Sequence, residues 1–224
     1  MVRAKHSTDP QIEEIRHSLL NDKTQIELTD FGAGSHLSKS NKRRINSVAK
    51  VSSSPPKFSA FLNELIRYFD YKEIVELGTS LGLNALYLSK SQEIQLTTFE
   101  GDTGLCRIAV NNFSKLKREN ITIIEGNINE TLPRFLNQAK SLDMVYLDAN
   151  HRYKPTLDYF ELCLPKMSKN GLIILDDIHW SKEMWKAWCK IKLKPQSILT
   201  IDLFEAGLIF LNPDIQPGDY TLTF

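Results

Sequence analysis

Long hydrophobic runs are missing from this sequence of 224 residues. Stretches such as Gly171–Leu175 and Ala206–Leu211 fall far short of the roughly 20 apolar residues that a membrane-spanning helix needs. The first ten residues are polar and lack the apolar centre of a secretion signal. Cysteine is scarce: Cys106, Cys163 and Cys189 are odd in number and form no C-x-x-C pair. That argues against a disulfide framework or a zinc knuckle, fits a reducing cytoplasm, and leaves the three as small apolar residues. Neither sign of charge dominates, with 28 Lys and Arg against 27 Asp and Glu, so no protein-wide basic field is available for nucleic acid. The phosphate-cradling pattern G-x-x-x-x-G-K-[ST] is absent, as is an intact G-x-G-x-x-G.

What is present is ordinary globular material, 42% hydrophobic and 25% charged. The length suits one large domain, or one domain with an appendage. Charge is unevenly placed along it. Residues 1–60 hold ten Lys and Arg against six Asp and Glu, and the remainder holds eighteen against twenty-one. In the front quarter, Asp9-Pro10 can open a helix reaching about Leu20, with Ile12, Ile15 and Leu19 on one stripe. A polar stretch at Asp30–His36 reads as a loop, followed by the basic run Lys39–Arg44. The boundary falls near Ser52-Ser53-Ser54-Pro55-Pro56, giving a basic, partly helical appendage over residues 1–51 and a main domain over 52–224.

From Phe58 onward helical and extended segments alternate. Helices are expected at Phe58–Phe69, Leu81–Ser89, Leu105–Lys117, Glu130–Ala139, Thr156–Met167 and Lys182–Ile191. Strands are expected at Glu73–Leu77, Ile94–Phe99, Ile121–Glu125, Asp143–Leu147, Leu172–Leu175, Ser197–Leu203 and Ala206–Leu211, with a last extended piece from Tyr220. Near-continuous apolar strands between helices mean a parallel sheet covered on both faces. The final pair is joined only through Phe204-Glu205 and must be antiparallel, because parallel strands need a long crossover. The fold class is therefore α/β: a Rossmann-like three-layer sandwich, with a mostly parallel seven-stranded sheet and an antiparallel strand at the C-terminal end.

Such sheets bind ligands at the carboxyl ends of their strands. Here those ends read Glu76-Leu77-Gly78-Thr79-Ser80-Leu81-Gly82, Glu100-Gly101-Asp102, Gly126-Asn127-Ile128, Asp148-Ala149-Asn150-His151 and Asp176-Asp177-Ile178-His179-Trp180. Every tip offers polar or acidic groups. A dinucleotide would need glycine where Ser80 stands, so that its pyrophosphate could approach the helix N-terminus. Glu76 adds negative charge beside that loop, which disfavours phosphate again. A ligand with cationic groups and a ribose but no phosphate suits the site better, and Glu100 can accept both ribose hydroxyls. S-adenosylmethionine has that chemistry.

The E-x-G-x-x-x-G run Glu76–Gly82, the acid Glu100 and the antiparallel ending resemble the class I S-adenosylmethionine-dependent methyltransferases. Leu142–Asp148 and Leu175-Asp176-Asp177 resemble, within that class, the catechol and caffeoyl-CoA O-methyltransferase branch. The resemblance covers about Ser52 to Phe224. It implies a cytoplasmic transferase moving a methyl group onto a hydroxyl of a small-molecule acceptor, by in-line attack of the oxygen on the sulfonium methyl. It implies cofactor contacts from Glu76, Gly78, Thr79, Gly82, Glu100, Asn127, Ile128 and Asp148, with Glu76 toward the ammonium and Asn127 and Ile128 beside the adenine. It places Asp148, Asp176 and Asp177 as ligands of Mg2+ or another divalent cation, and His151 with Asp148 as the catalytic pair. It leaves room for a homodimer.

Two departures accompany the resemblance. The second residue of the branch's metal pair is normally asparagine, and here it is Asp177. The branch's catalytic lysine falls at His151, which can act as a base near neutral pH but lacks a lysine's fixed charge. Other readings of the same residues stand beside these. Asp176 or Asp177 can cap the helix containing Trp185, and Met184, Trp185 and Trp188 can be core packing. Trp180 and His179 can line an acceptor pocket. The N/D-P-P-Y/F motif of amino-group methyltransferases is absent after Leu147, and no Pro-Cys of the cytosine-ring type occurs. Two alternatives remain: an RNA or protein methyltransferase docked through the basic front segment, and a catalytically silent cofactor-binding module.

Overall fold

Alternation along the strands is what builds the layers of this molecule. The computed structural model describes residues 8–28 and 42–223; the loop expected at Asp30–His36 and the first part of the Lys39–Arg44 run lie outside them. Ten strands and eight α-helices follow in the order α1 (Pro10–Asn21), β1 (Gln25–Glu27), β2 (Lys42–Arg44), α2 (Ile45–Val51), α3 (Pro56–Phe69), β3 (Glu73–Leu77), α4 (Leu83–Leu88), β4 (Gln95–Glu100), α5 (Thr103–Lys115), β5 (Ile121–Glu125), α6 (Ile128–Gln138), β6 (Leu142–Leu147), α7 (Tyr153–Cys163), β7 (Met167–Asp176), α8 (Lys182–Lys192), β8 (Leu199–Asp202), β9 (Ala206–Phe210) and β10 (Gly218–Thr221). A 3-10 turn, Leu164–Lys166, joins α7 to β7. The main sheet has the order β10-β8-β9-β7-β6-β3-β4-β5.

Successive side chains of a strand point to opposite faces. Ile74, Met144, Ile174 and Leu208 join one buried cluster with α3, α4 and α5, while Val75, Val145, Ile173 and Ile209 join another with α6, α7 and α8. That is the expected three-layer sandwich. Its sole antiparallel member among the described main-sheet strands is β9, paired with β7 on one side and β8 on the other. The connection through Phe204-Glu205 forces this reversal, with Leu203 N–H bonded to the Ala206 carbonyl at 2.9 Å. The seven expected strands are present, and the last extended piece adds an eighth, β10, parallel to β8.

The front segment is tied to this core. Ile12, Ile15 and Leu19 of α1 and Ile45, Val48 and Ala49 of α2 are buried in the same cluster as Leu62 and Leu86. Asp9 caps α1 by accepting from the Gln11 and Ile12 amides. Its own amide donates to the Tyr87 hydroxyl at 3.1 Å, and its carboxylate pairs with Lys90 at 3.0 Å. Lys42–Arg44, read as part of a basic run, is a short strand paired with Gln25–Glu27. Among the described residues, no helix is long and apolar enough to cross a membrane.

Candidate active site

The strand tips of β3, β4, β5, β6 and β7 bring the expected residues to one edge of the sheet. The first loop is set by backbone demands. Gly78 has φ +103°, and a Cβ there would lie 2.1 Å from the Asp148 carbonyl oxygen. The tip of β3 crosses that of β6 so closely that only glycine fits. Gly82 has φ +79°, and its missing side chain makes room for the ring of Phe113 in α5, 2.6 Å from a hypothetical Cβ. Both glycines, expected as cofactor contacts, thus also have packing reasons for being glycine. The amides of Gly78 and Thr79 donate to the Phe99 carbonyl, each at 3.0 Å. The Thr79 hydroxyl is turned inward onto that of Thr98 at 2.6 Å.

Glu76 is completely buried. Thr98 donates to one carboxylate oxygen at 2.6 Å, and the Asn84 side-chain amide donates to the other at 2.9 Å. Burial outweighs these bonds and pushes the carboxyl up to about 7, with the Glu100 charge adding to the rise. Among the described residues, no cation is ion-paired with it. The side-chain oxygen of Asn84 is itself buried and lacks a hydrogen-bond partner. A buried acid and an orphaned acceptor side by side favour a cationic donor.

At the next tip, Glu100 spans two loops. Its carboxylate accepts from the Ser80 amide at 2.8 Å and the Asp102 amide at 2.9 Å. Burial nonetheless raises its pKa above the ordinary value. Asp102 caps α5 through the Leu105 amide. Asn127 caps α6, its side-chain oxygen accepting from the Asn129 amide at 3.0 Å, and Ile128 begins that helix. The expected adenine contacts therefore sit where a helix starts, with the oxygen of Asn127 already engaged.

The acidic cluster lies across β6 and β7. The carboxyls of Asp148 and Asp176 lie near each other, and Tyr146 lies near Asp176. Burial first, then the neighbouring carboxylates, holds both aspartates well above the usual carboxylate range. His151 has φ +33° after Asn150 at +69°, two successive strained residues of the kind that gather at functional sites. Its Nε2 lies 3.3 Å from Asp148, and its Nδ1 lies 3.8 Å from Asp177. That Nδ1 is buried without a hydrogen-bond partner. His151 thus stands between the two carboxylates expected to ligate a cation. Among the described residues, no group of three or more His, Cys, Asp and Glu side chains is arranged to hold a metal ion. The oxygen donors Asp148, Asp176 and Asp177 have the right chemistry for Mg2+, but among the described residues they are not arranged as a ligand set.

Other expectations are corrected. Neither Asp176 nor Asp177 caps the helix after β7; Ser181 does, accepting from the Met184 amide at 3.1 Å. Met184 and Trp188 are core residues as expected, whereas Trp185 is exposed, because α8 turns that face outward. Cys106 and Cys163 are buried, and Cys189 only partly so. Three participants escaped the motif reading: Asn84, Thr98 and the loop after α2. Ser52 of that loop bonds Ser80 at 2.7 Å, and Ser54 bonds Tyr146 at 3.4 Å. Asn84 could have been found from the sequence, being a polar residue two positions after Gly82 on an otherwise apolar first turn. The serines could not, because only the tertiary fold lays 52–54 across the strand tips.

Comparison with known proteins agrees with this geometry. Residues 75–178 match the family model described as a methyltransferase domain. A catechol O-methyltransferase of Niastella koreensis is 27% identical over 126 residues, covering 54% of this chain and 56% of that protein; the match therefore spans little more than half of the relative's length. The SAH complex of an O-methyltransferase from Bacillus cereus superposes with a TM-score of 0.66 at 18% identity, covering 91% of this chain and 90% of that one. An SAH-bound methyltransferase from Podospora anserina gives 0.64 at 18%, covering 74% and 82%. These likenesses establish the fold. Residues 75–178, which carry the strand-tip residues from Glu76 to Asp177, match the methyltransferase-domain model, and the chain shares its fold with these methyltransferase structures.

Proposed function

We propose that this chain is a cytoplasmic S-adenosylmethionine-dependent methyltransferase that transfers a methyl group to a hydroxyl of a small acceptor. The observation that carries this reading is the pair Glu76, buried, and Glu100, partly buried, carboxylates on adjacent strand tips, each prearranged by hydrogen bonds and neither ion-paired with a cation among the described residues. The residues fit the cofactor. Glu76 and the orphaned Asn84 oxygen meet an ammonium; Glu100 meets ribose hydroxyls; Ile128 offers an apolar flank beside Asn127. Gly78 and Thr79 bring backbone to the methionine side, and Gly82 shapes the loop. When bound, S-adenosylmethionine supplies an electrophilic methyl group.

His151 is the proposed base. Asp148 holds one ring nitrogen at 3.3 Å; the other, buried and without a hydrogen-bond partner, takes the acceptor's hydroxyl proton once the acceptor opens a way to it. Trp180, with its ring centre 5.8 Å from that of His151, offers an apolar wall nearby. No step is routed through a cation. The N. koreensis relative makes a catechol the first acceptor to try. A homodimer and a silent binding module stay secondary readings. Macromolecular docking through the front segment is not favoured, because α1 and α2 are packed into the core.

Calorimetry with S-adenosylhomocysteine tests the reading directly. Wild-type protein should bind, and Glu100→Ala should lose about tenfold or more, as expected when hydrogen bonds to a charged group are removed. Absence of binding, or full affinity in the variant, refutes it. His151→Ala should lower turnover by roughly 10²–10⁴ while leaving S-adenosylhomocysteine affinity intact. Unaltered turnover would return His151 to a structural role.

A further inference from the structure

One cluster beside the site is used by none of these roles. His179 stands in the loop between β7 and α8, and its Nε2 bonds Asp202 at 2.9 and 3.2 Å. Asp202 ends β8 and is nearly buried. Its Oδ1 also accepts the Phe204 amide at 2.8 Å. Phe204 is in the left-handed region at φ +72°, uncommon for a bulky residue, yet its ring is 69% exposed. It stacks on the His179 ring at 4.8 Å and 11°, with Trp185 beside the same imidazole at 4.7 Å and 30°. A backbone bond adds to the link, Ile178 N–H donating to the Glu205 carbonyl at 3.3 Å. Immediately after His179 comes Trp180, exposed and tilted toward His151.

We infer that His179 is a positioning residue that locks the Leu203–Glu205 turn to the loop carrying Trp180, so that Phe204 and Trp180 form one wall of the acceptor site beside His151. The acceptor role rests on the methyl-transfer reading; the lock itself does not. A nearly buried carboxylate must be matched by a partner in a fixed place, and a turn residue with strained backbone persists only where its surroundings hold it. Asp202 supplies both functions at once. Removing the imidazole frees the turn and the Trp180 loop together.

Hydrogen exchange on the free protein reads the lock without any activity. His179→Ala should speed exchange at residues 178–180 and 203–206 by about tenfold or more, while residues 76–84 stay as in wild type. Asp202→Asn, which keeps His179, an acceptor for Phe204 and a partner for the imidazole, should retain near-native exchange. Unchanged exchange, or a change in only one of the two segments, overturns the lock. With catechol as probe acceptor, His179→Ala should raise KM about tenfold, with kcat within about threefold and S-adenosylhomocysteine affinity unchanged. A loss confined to kcat, or an equal loss of cofactor affinity, overturns the positioning role. Wild-type protein that binds no S-adenosylhomocysteine would defeat the methyl-transfer reading and the acceptor role with it, and the exchange measurement would still decide the lock.

Discussion

Replacing Glu76 with glutamine should make the protein more stable at pH 8 and a poorer binder of S-adenosylhomocysteine, two changes that ordinary damage to a core would not produce together. The carboxyl is raised from an ordinary 4.5 to about 7 by its burial. The folded state therefore holds more protons than the unfolded chain between those values. Stability from this group is fully present below pH 4.5 and is lost as pH rises through 7. At one pKa unit per 1.36 kcal/mol, the loss is about 3 kcal/mol by pH 8. Glutamine has no charge to desolvate, can still accept from Asn84 and can donate to Thr98, so its stability should be flatter across this window. The same charge is what an ammonium would meet in the pocket. Charge-assisted hydrogen bonds contribute roughly 1.5–3 kcal/mol, so affinity at pH 8 should fall about ten- to a hundredfold. Urea unfolding at pH 5 and pH 8, with calorimetry at pH 8, checks both halves. Equal affinity in the two proteins would remove Glu76 from the binding site.

Gly78→Ala should be among the most damaging single-methyl substitutions in the chain. The new Cβ would meet the carbonyl oxygen of Asp148 at 2.1 Å, and the residue would have to hold φ +103°. The obstacle is backbone on the neighbouring strand, and Asp148 N–H is bonded to the Leu77 carbonyl at 2.9 Å, so β3 and β6 cannot simply part. Left-handed strain and overpacking together amount to about 3–5 kcal/mol. Gly82→Ala should cost less, because the obstacle there is the ring of Phe113, which can shift. Denaturation midpoints rank the two. If Gly82→Ala proves the more harmful, the close approach of β3 to β6 does not govern the first loop. The comparison also separates fold from function, since the glycine of a ligand loop would be expected to affect binding more than stability.

Much of this protein is legible along the chain because the signals are local. Helix starts were marked by Asp9-Pro10 and Pro56, and the strands from β3 to β9 by short apolar runs between turns. Glu76, Gly78, Glu100 and Asp148 were legible because a parallel sheet sends all its carboxyl ends to one edge. Boundaries drifted where pattern and hydrogen bonding part company. β7 reaches back to Met167 through polar residues that pair only because β6 lies alongside, with a register shift between Leu142 and Met144. The cap of α8 was misplaced because two aspartates offered the same chemistry as Ser181, three or more residues too early. Ser52, Ser54 and Asn84 carried no motif, since their roles arise from neighbours distant in sequence.

The sequence alone determined the alternation of helix and strand, the single reversal at Phe204-Glu205, and the set of acids and small residues at the strand tips. Those follow from periodicity and from the length of the connections, which are properties of neighbours in the chain. The tertiary structure decided which of these residues meet. It set His151 between Asp148 and Asp177, buried Glu76 against Asn84 and Thr98, laid the loop after α2 over the site, and tied His179 to the hairpin through Asp202. Charge, burial and distance belong to the folded arrangement, and they give the same carboxylate an ordinary pKa in the chain and one near 7 in the site.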